Sequence, residues 1–200
     1  AFLGWAPMDC LTYANPNANG DGDENNMQYT KEQLSQDLGF SMLVNKKSYL
    51  TLDQFKKIFE NDPNDKNNVF KDNAEYFYYA EQQYNINGLF VAAIAIHESG
   101  WGTSSISNNK KNLFGYRAYD RDPSGSASGF ETYAEGIDLV SRVLVKYYLN
   151  PKGTPIYGGE TAVGSYYKGS TISAVNKCYA SDKNWANAVY KWMLYLYNKL

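Results

Sequence analysis

Eight residues from Leu89 to Ile96, LFVAAIAI, are apolar without a break, and His97, Glu98 and Ser99-Gly100-Trp101-Gly102 follow at once. A helix that is apolar on all sides has no face to give to water, so it must lie at the centre of a core. GLFVAAIAIHES is therefore predicted as a buried central helix stopped by Gly100. Glu98 then sits at its end. Its neighbours at i−3, i−4 and i−7 are Ala95, Ile94 and Val91, and the carbonyls of the last turn point their negative ends outward beside it. Desolvation and the helix dipole both oppose ionisation. The pattern predicts a carboxylic acid that keeps its proton to near neutral pH, the state a general acid needs. A structural glutamate paired with a lysine or a backbone donor is the alternative. His97, the one histidine, is backed by Ile94 and Ala93 and reads as a core or boundary residue; no GxSxG elbow offers it a nucleophile.

The segments around this helix are mostly helical in pattern. Thr30 and Gln33 form a capping-box pattern that opens a short helix ending near Gly39. LTLDQFKKIFEN carries Leu52, Phe55, Ile58 and Phe59 on one face. VFKDNAEYFYYAEQQYN follows, with Phe70, Ala74, Phe77, Tyr78 and Tyr84 inward, and Asn85 and Asn87 break it. TSSISNN is a short turn or helix. From Leu113 the period changes: Tyr116–Tyr119 and Gly129–Tyr133 flank the turn-rich DPSGSASG and predict a small β-hairpin lobe. Helices return over AEGIDLVSRVLVKYYL (134–149), over TISAVNK, and over the closing SDKNWANAVYKWMLYLYNKL, with Trp185, Val189, Trp192 and Leu196 in one stripe. Asp182 is the expected N-cap of that last helix. No repeat and no linker divides the chain, so the reading is one domain over 1–200, with 1–50 an extension packed on a core of 51–200.

Composition narrows the function. The chain has 200 residues, a net charge of −2 and only three arginines (Arg117, Arg121, Arg142) among 19 basic residues, which argues against a nucleic-acid partner. No apolar run reaches the roughly 18 residues of a membrane span. AFLGWAPMDC lacks the charged start of a signal peptide, and the chain reads as a domain cut from a longer polypeptide. NPNANGDGDENN (15–26) has the Asn and Gly spacing of a calcium loop, but Asn26 stands where the bidentate Glu belongs, so it reads as a polar loop. Cys10 and Cys178 are either one long-range disulfide or two free thiols. Tyrosine is abundant, at 19, beside 9 Phe and 4 Trp. Its flat face and polar tip suit sugars, although most such residues are half-buried surface tyrosines.

Two separated blocks carry a family resemblance. Glu98-Ser99-Gly100-Trp101-Gly102 followed by Asn112-Leu113-Phe114-Gly115 resembles the E-[ST]-x-W-G and N-x-F-G motifs of the peptidoglycan N-acetylglucosaminidases of glycoside hydrolase family 73, which are bacterial autolysins. Tyr179-Ala180-Ser181-Asp182 with Trp185-Ala186 is similar to a late block of the same family. The approach QYNINGLFVAA is similar too, with Gly88 where proline is common. The resemblance covers about residues 68–200; residues 1–50 carry none.

The resemblance implies a mainly α, lysozyme-like α+β fold: a helical lobe around the central helix, a small β-hairpin lobe and a cleft between them. It implies hydrolysis of the β-1,4 bond on the reducing side of N-acetylglucosamine in cell-wall glycan. Secretion to the cell wall, a monomer, peptidoglycan strands as partner, no membrane insertion and no metal or organic cofactor go with it. Glu98 matches the catalytic glutamate. The second carboxylate is expected at Asp120, with Glu131 as runner-up and Asp122 also in reach; substrate assistance by the 2-acetamido group would need neither. Tyr179 matches a residue that orients the reacting sugar. Trp101, Asn112, Phe114, Gly115, Tyr116 and Tyr119 are candidate cleft residues, although Trp101 and Phe114 could instead pack behind Glu98. A muramidase or lytic transglycosylase, and a non-catalytic wall-binding module, are the competing readings.

Overall fold

The apolar run does form the central helix. The computed structural model describes residues 38–116 and 129–200. In chain order its helices are α1 (Leu52–Phe59), α2 (Val69–Tyr84), α3 (Gly88–Ser99), α4 (Ser105–Lys110), α5 (Tyr133–Val143), α6 (Ile172–Tyr179) and α7 (Trp185–Tyr197). Leu89 to Ala95 of α3 are fully buried and Ile96 is 1% exposed. Helices α2 and α7 pack on α3. Helix α1 lies mainly on α2, α5 packs on α2, and α6 packs on α7. The aromatic side chains of α1 and α2 fill the space between, with Phe59, Phe70 and Phe77 in mutual contact at 5.6–5.9 Å.

Local chemistry sets the boundaries. Thr51 and Gln54 close a capping box on α1: the Gln54 N–H donates to the Thr51 hydroxyl oxygen at 3.2 Å and the Thr51 N–H to Oε1 of Gln54 at 2.9 Å. Asn85 ends α2 in the left-handed region at φ 53°, and Asn87 caps α3 by accepting the Phe90 N–H at 3.0 Å. Helix α5 runs on into a π turn, Leu144–Tyr148. Buried Asp138 ties α5 to α2, accepting the Tyr84 hydroxyl and pairing with Arg142 at 2.9 Å.

The expected β-hairpin differs on its return side. Residues 129–132 form no strand: Thr132 is the N-cap of α5, its hydroxyl accepting the Glu135 N–H at 3.3 Å, and Tyr133 is already helical. Among the described residues the β pairing consists of two isolated bridges, Leu43 with Thr171 and Pro155 with Thr161. The outgoing side beyond Tyr116, the capping box at Thr30, the polar loop 15–26 and Cys10 lie outside the described residues. Cys178 is exposed on α6. Asp182 is not the N-cap of α7. Asn184 holds that position, and Asp182 accepts the Asn184 N–H at 2.9 Å in the turn before it.

Candidate active site

Three consecutive residues end the central helix in left-handed conformation: Gly100 (φ 55°), Trp101 (φ 58°) and Gly102 (φ 73°). The chain needs glycine at 102 for space as well, since a Cβ there would lie 3.0 Å from the Val69 side chain. Ser99 staples the turn by donating its hydroxyl to the Ala95 carbonyl at 2.6 Å and accepting the Gly102 N–H at 2.8 Å. The strained Trp101 backbone is held by its ring, which is 4% exposed and packs against Phe59, Phe70, Trp192 and Tyr195 at 5.2–6.4 Å. Trp101, expected as a cleft residue, is thus a core residue behind the turn.

The turn releases Glu98 to solvent. Its side chain is exposed, contrary to the desolvation that the helical spacing predicted. Helix α3 is buried on every side only as far as Ile96, and its last turn emerges from the core. Among the described residues one donor holds the carboxyl. Nε1 of Trp185, at the start of α7, donates to Oε1 of Glu98 at 2.7 Å. Trp185 is itself 1% exposed. The turn that delivers it is clamped by Asn176 on α6, whose Oδ1 accepts the Ala186 N–H at 3.1 Å and whose amide donates to the Asp182 and Ala180 carbonyls at 2.9 and 3.2 Å.

Tyr179 completes the group. Its ring lies 5.0 Å from Trp185 and 5.6 Å from Tyr148, which the π turn carries, and Tyr148 meets Tyr166 at 5.0 Å. Burial pushes the Tyr179 hydroxyl far above the usual phenol range, and the nearby Glu98 charge adds to it, followed by Tyr148 and Tyr116. The phenol therefore stays protonated and can donate a hydrogen bond. A carboxyl and a neutral phenol beside each other on two helix ends can move a proton and orient a hydroxylated or amide-bearing ligand.

The N-x-F-G segment is built by its asparagine. Asn112 is 4% exposed; its Oδ1 accepts the Phe114 and Tyr116 N–H groups at 3.1 and 3.3 Å and its amide donates to the Tyr116 carbonyl at 2.7 Å. Gly115 turns at φ 58° within this loop. Phe114 is 4% exposed and belongs to the core, so like Trp101 it packs rather than faces solvent. Tyr116 is half-buried against that core. Glu131 is exposed just before α5, where its own N–H donates to the Glu135 carboxylate at 2.9 Å. Asp120, Asp122 and Tyr119 lie outside the described residues.

The structure thus brings Glu98 and Tyr179 together, with Tyr148 and Tyr116 among the electrostatic neighbours of Tyr179. It adds two groups the sequence reading did not single out for the site. Trp185 was hidden in the apolar stripe of α7, and only its place in the second motif block marked it. Asn176 carried no signal beyond helix composition. A pocket of about 420 Å³ lies between α1 and α2, lined by Lys56, Lys57, Lys71, Asp53, Glu60 and Glu75 among others; none of the candidate site residues lines it.

The chain is similar to known proteins. Residues 74–198 match the model of the glucosaminidase family, described as mannosyl-glycoprotein endo-beta-N-acetylglucosaminidase. A Streptococcus pneumoniae protein with the provisional name endo-beta-N-acetylglucosaminidase is 31% identical over 134 residues, which is 67% of this chain and 18% of that protein. The bifunctional autolysin of Staphylococcus aureus is 28% identical over 158 residues, covering 66% of this chain and 12% of that protein. The chain therefore spans less than a fifth of the length of these relatives. In structure it is similar to a catalytic mutant of Staphylococcus aureus autolysin E solved with the disaccharide NAG-NAM, at a TM-score of 0.54 and 17% identity, over 86% of this chain and 79% of that one. That likeness establishes a mainly helical, lysozyme-like fold. With a family model matched over more than half its length, the chain belongs to the glucosaminidase family of glycoside hydrolases.

Proposed function

We propose that this chain is an endo-β-N-acetylglucosaminidase that hydrolyses the β-1,4 bond between N-acetylglucosamine and N-acetylmuramic acid in bacterial peptidoglycan, with Glu98 as general acid. The observation that carries the reading is the Glu98–Trp185–Tyr179 group, assembled from the two motif blocks at the solvent end of the central helix. Family membership supports the reaction class. The relatives named autolysin and the NAG-NAM complex of the similar structure support the substrate.

Glu98 protonates the glycosidic oxygen as the bond to the anomeric carbon breaks. The second group is Asp120 or Glu131 acting on the opposite face of the sugar, or the substrate's own acetamido oxygen. Tyr179, held neutral, orients the reacting sugar. Tyr116 and Tyr119 are the tyrosines assigned to binding the glycan, while Asn112, Phe114, Gly115 and Trp101 hold the loops that shape the cleft. The catalytic domain is 1–200, with its lysozyme-like core in 51–200. It acts as a secreted, wall-associated monomer; no helix among the described residues is long and apolar enough to cross a membrane.

Product analysis tests the bond cut. Digested and reduced walls should yield muropeptides ending in reduced N-acetylglucosamine. Reduced muramic acid ends would make the enzyme a muramidase, and anhydro ends a lytic transglycosylase.

A further inference from the structure

We infer that Trp185 is a positioning residue for Glu98, and that it decides which of the two carboxyl oxygens delivers the proton. This deepens the proposed function and rests on Glu98 being the acid. An indole N–H is a donor only. The Glu98 oxygen it faces at 2.7 Å, Oε1, is an acceptor. In a neutral carboxyl the carbonyl oxygen is the stronger acceptor, so Oε1 is the carbonyl and the proton sits on Oε2. The proton passes from Oε2 to the glycosidic oxygen as the bond from that oxygen to the anomeric carbon breaks. The carboxylate left behind keeps the indole donor on Oε1, and that hydrogen bond strengthens as charge develops. An interaction that grows toward the transition state raises kcat rather than tightening substrate binding.

The donor is fixed before substrate arrives. Trp185 is 1% exposed, its ring lies against Tyr179 at 5.0 Å, and Asn176 holds the residues on both sides of it. Packing alone does not demand such a bond. Trp101 is comparably buried at 4%, and its Nε1 has no partner among the described residues. Among the described residues the titratable groups around the pair are Tyr179 from α6, with Tyr148 from the π turn and Tyr116 behind it, and His97 beside Glu98 on α3. Among the described residues the Trp185 indole is the donor seated on the Glu98 carboxyl, and a donor to that oxygen favours the ionised form.

Trp185→Phe would leave a cavity at a fully buried site and mix folding with chemistry. The test is instead site-specific replacement of Trp185 by benzothienylalanine, which keeps the fused ring and puts sulfur in place of N–H. The same replacement at Trp192 serves as control. For Trp185 the expected result is a kcat about tenfold lower with KM nearly unchanged. The alkaline limb of the kcat/KM profile should also move upward by about one pH unit, since the acid keeps its proton longer without the donor. The Trp192 replacement should leave the limb in place. An unchanged kcat with an unmoved limb overturns the inference. So does a kcat loss with an unmoved limb, which is what altered packing would give. If Glu98→Gln is inactive while the Trp185 replacement is silent, only this inference fails; if Glu98→Gln is active, the underlying reading fails as well.

Discussion

Asn112 and Tyr116 hold each other through two hydrogen bonds, the Asn112 amide donating to the Tyr116 carbonyl at 2.7 Å and the Tyr116 N–H donating back to Oδ1 at 3.3 Å. The side chain thus replaces a turn of backbone in the loop that presents Tyr116. Asn112→Ala leaves buried backbone groups unpaired and should cost about 1–3 kcal/mol of stability. Asn112→Asp keeps the acceptor and loses the donor, so it should fall between the parent and alanine variants. Denaturant unfolding of the three proteins checks the order. Equal stability of alanine variant and parent would contradict a structural role for this asparagine.

Glu81 gives the molecule a pH-dependent stability. It is fully buried on α2. Its Oε1 accepts the N–H groups of Ser48 and Gly88 at 2.7 and 2.9 Å, while Oε2 is buried without a partner among the described residues. Burial pushes its carboxyl up to about 7 from 4.5, against the lowering effects of those hydrogen bonds and of Lys47. A carboxyl raised in the folded state binds more protons there than in the unfolded chain. Its contribution is full below 4.5 and is lost as pH rises through 7. The loss amounts to roughly 3 kcal/mol. Glu81→Gln, which mimics the protonated form, should remove this slope from a urea titration between pH 4 and 8. A variant that keeps the parent's slope would place the effect elsewhere.

Gly88 opens the central helix at a point with no room. A Cβ there would lie 2.7 Å from both the Phe77 carbonyl oxygen and the Phe55 ring. The ring can yield but the backbone oxygen cannot. Gly88→Ala should therefore cost about 1–3 kcal/mol and lower Tm by roughly 3–10 °C. Gly88→Pro should cost more, because it also removes the N–H that Glu81 accepts. A Tm within a degree of the parent for Gly88→Ala would show that α3 can shift to make room.

The second catalytic group is separable by kinetics. Asp120→Asn, Glu131→Gln and Tyr179→Phe compared on one substrate should give a large kcat loss at one carboxylate if that side chain attacks or activates water. Activity that survives both carboxylate changes and falls with Tyr179→Phe points to the acetamido group as nucleophile. Tyr179→Phe keeps the ring contact with Trp185, so its loss reads the hydroxyl alone.

Sequence and structure agree where burial is uniform and part where it is not. LFVAAIAI could only be a core helix, and its flanking Asn87 and Gly100 mark both ends, so α3 was readable to the residue. The same uniformity hid the fate of Glu98. With apolar residues on every side, spacing could not say where the helix leaves the core, and the carboxyl emerges instead of sinking. Phe130 to Tyr133 looked β-favouring, but Thr132 was a cap and the aromatics pack around the start of α5. Trp101 and Trp185 are alike in sequence, each the tryptophan of one motif block. Only three-dimensional placement separates the one buried behind the turn from the one that reaches the Glu98 carboxyl.

In the proposed mechanism Glu98 supplies the proton for glycoside cleavage. Glu98→Gln keeps the size of the side chain and an oxygen that can accept from Trp185, and removes the acid. On purified cell walls this variant should stay folded by circular dichroism, still bind the walls, and release no reducing ends above background. Lysis at the parent's rate by the folded variant would contradict it.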